Sequence, residues 1–217
     1  MDFPHLPPGL YAIVDSLERA GAALDGGAAV VQLRMKRAGA GEILNTARAV
    51  RALCKGRAAF IMNDRPDIAR LSDADGVHLG QDDLPVLAAR AVLGPGKLVG
   101  VSTHSDAELD RALAAGADYL GFGPVFATAS KETALPPPHG LPLLARAVQR
   151  AGGVPVVAIG GITSETVSAV AATGARCAAA IAELQRDPLA ARRFAAAFAG
   201  RAAQAAPRVA PPPGVPR

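Results

Sequence analysis

The chain has 217 residues, half of them hydrophobic and 19% charged, with 23 Lys and Arg against 19 Asp and Glu for a formal net charge of +4. That length suits one domain of the usual ~100–200 residues with a buried core, and the composition excludes disorder over most of the chain. No apolar run approaches the ~18–20 residues of a membrane span, and Cys54 and Cys177, the only cysteines, form neither a disulfide framework nor a C-x-x-C zinc motif.

The opening MDFPHLPPGL lacks the basic and apolar regions of a secretory signal, so a cytoplasmic protein is expected. From there a short apolar run recurs every 20–30 residues, each followed by an amphipathic segment. GLYAIVD (9–15) leads into 16–26, AAVVQLR (28–34) into 40–55, AAFIMN (58–63) into 64–72, and ADGVHL (74–79) into 83–93. KLVGVS (97–102) leads into 105–115, ADYLGFG (117–123) into a loop and 140–151, VPVVAIGG (154–161) into 163–173, and RCAAAIA (176–182) into 187–199. Nearly continuous apolar strands are what a parallel sheet covered on both faces requires. Eight β-α units in strict alternation therefore predict an α/β fold, a single (β/α)8 TIM barrel. A doubly wound open sheet is the alternative, but it has fewer strands and no G-x-G-x-x-G follows the first run. The barrel is expected over 1–200. The Pro/Ala-rich stretch 201–217 has no periodic apolar face and is expected to be a disordered tail.

In such barrels the chemistry sits at the C-terminal ends of the strands, and polar residues or glycines follow at least six of the eight runs. Period-2 spacing puts Gln32, Arg34 and Lys36 on one side of a strand, two cations and an amide that suit a phosphate or diphosphate beside a hydrogen-bonding ring. The plainer reading is a solvated strand end. Asn63-Asp64 and Asp82-Asp83 bring carboxylates to neighbouring strand ends, and Asp64 with Asp83 suit Mg²⁺ shared with substrate phosphate and water. Either aspartate is equally suited to capping the helix that follows it. His78 is placed to meet a substrate ring, to act as an acid/base, or to serve as a buried structural group. Gly160-Gly161 permits close backbone approach to a phosphate, although turns use such pairs freely. The loop 124–139 is long enough to close over a substrate and carries Thr128, Ser130 and Lys131. The mild positive charge fits anionic metabolites better than nucleic acid, since there is no basic block and there are few aromatics.

Together these segments resemble the thiamine-phosphate synthase/TenI superfamily of barrel enzymes. The matching pieces are Q-L-R-x-K at 32–36, N-D-R at 63–65, D-G-V-H-L-G-Q-D-D-L at 75–84, G-V-S-T-H at 100–104, A-D-Y-L-G-F-G-P-V-F-x-T at 117–128 with Lys131, and A-I-G-G-I at 158–162. The resemblance implies coupling of 4-amino-2-methyl-5-(diphosphomethyl)pyrimidine to a thiazole phosphate, with release of pyrophosphate and no protein nucleophile. It implies that Gln32, Arg34, Lys36, Asn63, Ser102 and Lys131 hold the pyrimidine diphosphate, with His78 near the ring. Asp64 and Asp83 would ligate Mg²⁺, and Thr128, Ser130, Gly161 and the backbone near Ile181 would hold the thiazole phosphate, with Gly160 beside them. Catalytic stabilisation of the leaving group would fall to Arg34, Lys36, Lys131 and Ser102.

Two departures stand out. Met35 replaces a residue often acidic in relatives, at the outward position of its strand. The family's usual G-A-D-G-V-A-V-V-S reads G-A-R-C-A-A-A-I-A at 174–182, so Arg176, Cys177 and Ala182 stand for Asp, Gly and Ser. Ala182 removes a hydroxyl from the thiazole phosphate, and Arg176 is a candidate to compensate. A TenI-like thiazole tautomerase is the alternative enzyme. It is disfavoured by the presence of both aspartates and by Pro124 where a catalytic histidine is expected. A non-catalytic precursor-binding paralogue, prompted by the altered segment, and an unrelated phosphate-handling barrel are the other readings. The sequence leaves open whether the chain forms a homo-oligomer.

Overall fold

The computed structural model describes residues 5–128, 137–187 and 189–199. Its strands are β1 (Gly9–Val14), β2 (Val30–Leu33), β3 (Ala59–Asn63), β4 (Gly76–Leu79), β5 (Leu98–Thr103), β6 (Tyr119–Phe122), β7 (Val156–Ala158) and β8 (Cys177–Ala180). They pair in parallel and in order, and β8 closes on β1 through Leu10 opposite Ala178. Between them lie α1 (Leu17–Asp25), α2 (Ala40–Cys54), α3 (Pro66–Leu71), α4 (Val86–Leu93), α5 (Asp106–Ala114), α6 (Gly140–Arg150) and α7 (Val167–Ala172). Two helices, α8 (Ala182–Arg186) and α9 (Ala190–Ala197), follow β8.

The alternation of side chains along each strand divides the interior into two apolar regions. Outward residues such as Leu10, Val31, Phe60, Val77 and Leu120 pack beneath the helices. Inward ones such as Tyr11, Val30, Ile61, Leu98 and Val157 fill the barrel. Ser16 and Ser105 cap α1 and α5, accepting the backbone N–H of Arg19 and Glu108 at 3.2 Å. Among the described residues no helix is long and apolar enough to cross a membrane.

The eighth unit differs from its sequence reading. The chain leaves the strand at Ala180 and turns at Ile181 into α8, because A-E-L-Q-R consists of good helix formers. Arg176 lies just before β8, at the end of the barrel opposite the strand C-termini. Its Nε donates to the Leu6 carbonyl at 3.1 Å, and its own carbonyl accepts Gly9 N–H at 3.2 Å. Leu6 is buried in the inner core, and the Cys177 thiol donates to the Pro7 carbonyl at 3.1 Å. Arg176 and Cys177 thus fasten the N-terminal segment across the barrel floor, and Arg176 cannot compensate for Ala182 at the mouth. Burial pushes both the Cys54 and Cys177 thiols up to about 12, so neither is a thiolate nucleophile at neutral pH. The stretch 201–217 lies outside the described residues.

Candidate active site

The inward parity of the strands delivers the expected polar residues to one mouth. Gln32, Asn63, His78 and Ser102 occupy inward positions on β2, β3, β4 and β5, with Asn63 paired in register with His78. The strand β2 itself ends at Leu33, so Arg34 and Lys36 sit just beyond it rather than in a single extended run. Arg34 is anchored through its backbone N–H to the Val14 carbonyl at 2.8 Å, and its half-buried side chain has no ion pair among the described residues. Lys36 reaches back over the rim, and its Nζ meets Asp64 Oδ2 at 2.5 Å.

Neither candidate metal carboxylate caps a helix. The cap position of α3 is Arg65 and that of α4 is Pro85, neither with a side-chain cap. Asp64 instead takes a left-handed backbone conformation, φ 61°, with its N–H on the His78 carbonyl at 2.8 Å. Such a backbone is uncommon outside glycine, and it aims the carboxylate at Lys36. Asp83 accepts Gly80 N–H on Oδ2 at 2.7 Å. Burial raises the Asp83 carboxyl above the ordinary carboxylate value, and the adjacent Asp64 charge raises it further, opposed by the Gly80 N–H and by Lys36. Two hard oxygen donors that repel one another, with a lysine on one of them, fit a divalent cation whose remaining ligands are phosphate and water oxygens. Among the described residues no cluster of three or more His, Cys, Asp or Glu side chains suited to a metal ion occurs.

Below the mouth lies an arrangement that the apolar reading of the strands passed over. Gln32 Nε2 donates to the Tyr11 hydroxyl at 2.9 Å, and Tyr11 is 2.9 Å from the Tyr119 hydroxyl. Tyr119 is in turn 3.1 Å from His78 Nδ1, and His78 Nε2 is 2.9 Å from Ser102 Oγ. Both ring nitrogens of His78 therefore face protein groups, Tyr119 on one side and Ser102 on the other. A buried phenol needs a partner for its hydroxyl, so the two tyrosines in otherwise apolar runs were the available signal. Gln81 Nε2 donates to the Ser102 carbonyl at 2.6 Å, fixing the backbone beside it.

On the other side of the mouth, Gly160 and Gly161 have φ of 101° and 62°. A Cβ on Gly160 would lie 2.6 Å from Pro124, and one on Gly161 would overlap the Ala127 carbonyl. The close approach that this pair permits is thus, in the first place, to the 124–127 segment, which is tied down by Val125 N–H on the Ile159 carbonyl and Phe126 N–H on the Gly160 carbonyl, both at 2.9 Å. Thr128, half-buried, ends this described stretch; Ser130 and Lys131 lie outside the described residues. Ile181 lines a cavity of about 340 Å³ with Ile13, Val14, Arg19 and Leu184, beside the end of β8.

Comparison with known proteins bears on the family and the fold. The family described as thiamine monophosphate synthase matches residues 10–184. A thiamine-phosphate synthase of Anaeromyxobacter dehalogenans is 54% identical over 206 residues, covering 91% of each chain. One from Chlorobium luteolum is 45% identical over 193 residues, covering 86% of this chain and 89% of that one. Among solved structures, a thiamine phosphate pyrophosphorylase from Pyrococcus furiosus superposes with a TM-score of 0.80 at 34% identity, over 88% of this chain and 95% of that one.

Proposed function

The chain belongs to the thiamine monophosphate synthase family, and we propose that it joins an aminopyrimidine methyl diphosphate to a thiazole phosphate at the barrel mouth. The observation that supports this reading is the meeting of Lys36, Asp64 and Asp83 just past the ends of β2, β3 and β4, on the strands that also carry Gln32, Asn63 and His78 inward, with His78 bonded to Ser102. In this reading Gln32, Asn63 and Ser102 hold the pyrimidine, with His78 orienting Ser102. Arg34 and Lys36 meet the diphosphate. Thr128, Gly160, Gly161 and Ile181 frame the thiazole phosphate; Ser130 is assigned to the same phosphate and Lys131 to the diphosphate from the sequence.

Asp64 and Asp83 would hold Mg²⁺, which when bound neutralises diphosphate charge and makes pyrophosphate a better leaving group. The rest follows from the chain's own side chains. The bond between the pyrimidine methylene and the diphosphate oxygen breaks with its electron pair leaving on pyrophosphate, and Arg34, Lys36 and Lys131 stabilise that charge through fixed electrostatics. The electron-rich aminopyrimidine carries the positive charge left on the methylene. The thiazole nitrogen lone pair then forms the new carbon–nitrogen bond, so the protein's remaining task is to keep the two rings in contact. No nucleophile or general base is required of the protein.

The test is to mix the purified chain with both substrates and Mg²⁺ and to follow pyrophosphate and thiamine phosphate. Stoichiometric appearance of the two products, dependent on both substrates, is expected. Tight binding of both compounds without product would replace the enzyme by a precursor-binding paralogue.

A further inference from the structure

The five hydrogen-bonding groups beneath the mouth form one continuous line through β2, β1, β6, β4 and β5: Gln32, Tyr11, Tyr119, His78 and Ser102. Gln32, Tyr11 and Tyr119 are each no more than 2% exposed, so bulk solvent does not reach them. The barrel makes room for this line with glycine. A Cβ on Gly100 would overlap the Tyr119 ring, and one on Gly121 would lie 3.1 Å from His78 Cε1. Two interior strand positions are thus left without side chains at the points where the aromatic rings cross the barrel.

A line of this kind has a direction. Each hydroxyl has one proton to give, and a neutral imidazole has one donor and one acceptor nitrogen. Gln32 gives its amide N–H to Tyr11, so Tyr11 gives its proton to Tyr119 and Tyr119 gives its own to His78 Nδ1. His78 then carries its proton on Nε2 and donates to Ser102, whose hydroxyl proton is left to point into the mouth. Acidity favours the same direction, because a phenol is a far better donor to an imidazole nitrogen than the alkyl hydroxyl at the other end would be. Burial holds both tyrosines neutral, raising Tyr11 and Tyr119 well above the usual phenol value. Neighbouring bonds in such a line polarise one another, which stabilises a single direction over a mixture.

The geometry points to Tyr11 and Tyr119 as positioning residues that fix the hydrogen-bond polarity of the ring site: an acceptor, Gln32 Oε1, at one end and a donor, the Ser102 hydroxyl, at the other. This inference rests on the reading of Gln32 and Ser102 as pyrimidine contacts. An aminopyrimidine is complementary, offering amino N–H to Gln32 and a ring nitrogen to Ser102. The corresponding 4-oxo pyrimidine presents a carbonyl oxygen to an oxygen at Gln32, and a buried acceptor without a donor is costly. The relay therefore selects a 4-amino over a 4-oxo pyrimidine.

Two measurements test this. In the ligand-free protein, ¹⁵N-histidine NMR, with His78 assigned by the His78→Gln variant, is expected to give a neutral ring protonated on Nε2. A ring protonated on Nδ1 would reverse the direction and overturn the proposal. Calorimetry with Mg²⁺ then compares the dissociation constants of the 4-amino pyrimidine diphosphate and its 4-oxo analogue. Wild type is expected to favour the amino compound, and Tyr119→Phe, which keeps the ring and loses the hydroxyl, to shrink that preference by about tenfold, the usual weight of one buried hydrogen bond to a polar group. Affinity for the thiazole phosphate should not move. An unchanged preference in Tyr119→Phe, or equal weakening of both pyrimidines, overturns the proposal. If Tyr119→Phe gives no cooperative melt, Tyr11→Phe breaks the same line one step earlier and the same outcomes apply. A wild-type chain that prefers the amino compound yet makes no thiamine phosphate would remove the synthase reading and leave the relay standing. One that turns over but binds both pyrimidines alike would do the opposite.

Discussion

Asp75 and Asp118, at the N-terminal end of the barrel, each give one carboxylate oxygen to both a strand amide and an arginine, whereas Asp64 and Asp83, at the mouth, face each other. Asp75 Oδ2 accepts Phe60 N–H at 2.8 Å and Arg51 Nη1 at 3.0 Å; Asp118 Oδ2 accepts Val99 N–H at 2.7 Å and Arg90 Nη2 at 2.8 Å. In both cases the aspartate precedes a strand, bonds the start of the preceding strand, and draws an arginine from a helix. The same chemical group thus serves two purposes. On the floor one carboxylate oxygen ties a strand amide to a helix arginine, and the result is a joint. At the mouth like charges lie together, Asp64 on Lys36 and Asp83 on Gly80 N–H, and in the proposed function they would hold the metal ion.

The comparison breaks most sharply at Asp64. Asparagine tolerates the left-handed backbone there, so Asp64→Asn removes the charge while keeping the turn. Turnover at saturating Mg²⁺ should fall about a thousandfold, which corresponds to about 4 kcal/mol of barrier, while the thermal midpoint stays near that of wild type. A wild-type rate would remove Asp64 from the metal site. The floor should respond in the reverse sense. Arg51→Met leaves Asp75, whose side chain is only 3% exposed, without its cation. A loss of about 3 kcal/mol in unfolding free energy is expected, read from urea denaturation, with turnover of the folded protein unchanged. A slower folded enzyme would mean that floor and mouth are not independent.

The sequence made the mouth legible to a greater extent than the interior beneath it, for a physical reason. Strand ends announce themselves where an apolar run meets polar residues, and that junction located Gln32, Asn63, Asp64, His78 and Ser102 on one rim without any knowledge of packing. Across-barrel contacts have no such marker. Tyr11 and Tyr119 are 108 residues apart, and each sits in a run whose apolar character reads as core. Gly100 and Gly121 look like ordinary small strand residues until the rings they accommodate are known. Arg176 was ambiguous because a side chain near a strand terminus can belong to either end of the barrel, and only the position of β8 assigns it to the floor. The helix α8 was hidden by an alanine-rich stretch that suits a buried strand and a helix alike.

A smaller effect sharpens the comparison within the mouth itself. Ala182 follows Ile181 at the end of the eighth unit and carries no hydroxyl. Ala182→Ser should lower the KM for the thiazole phosphate by roughly three- to tenfold, the range of one hydrogen bond to a charged group. The KM for the pyrimidine diphosphate should not change. A raised or unaltered thiazole phosphate KM would place that phosphate away from Ile181.

The smallest effect is on stability, and its sign follows from the burial of Asp83 beside a second carboxylate. Asp83 has a folded-state pKa above the ordinary carboxylate value, with burial the main cause and the neighbouring Asp64 charge adding to it. The folded protein therefore binds this proton more readily than the unfolded chain does. The stability associated with it is fully present below the unfolded value of about 4 and is lost as pH rises through the higher folded value. At pH 7 the ionised Asp83 weighs against the fold, and Asp83→Asn, which keeps an acceptor for Gly80 N–H, should melt slightly above wild type in the presence of chelator. That advantage should shrink to nothing as the pH falls toward 4, where the wild-type carboxyl is itself protonated. With saturating Mg²⁺ and pyrophosphate the order should invert, because only wild type gains from the bound ion. Melting curves over this pH range, with and without metal, check both signs. A variant less stable than wild type in chelator at pH 7 would mean that the ionised Asp83 supports the fold, through its bond to Gly80 N–H, instead of weighing against it.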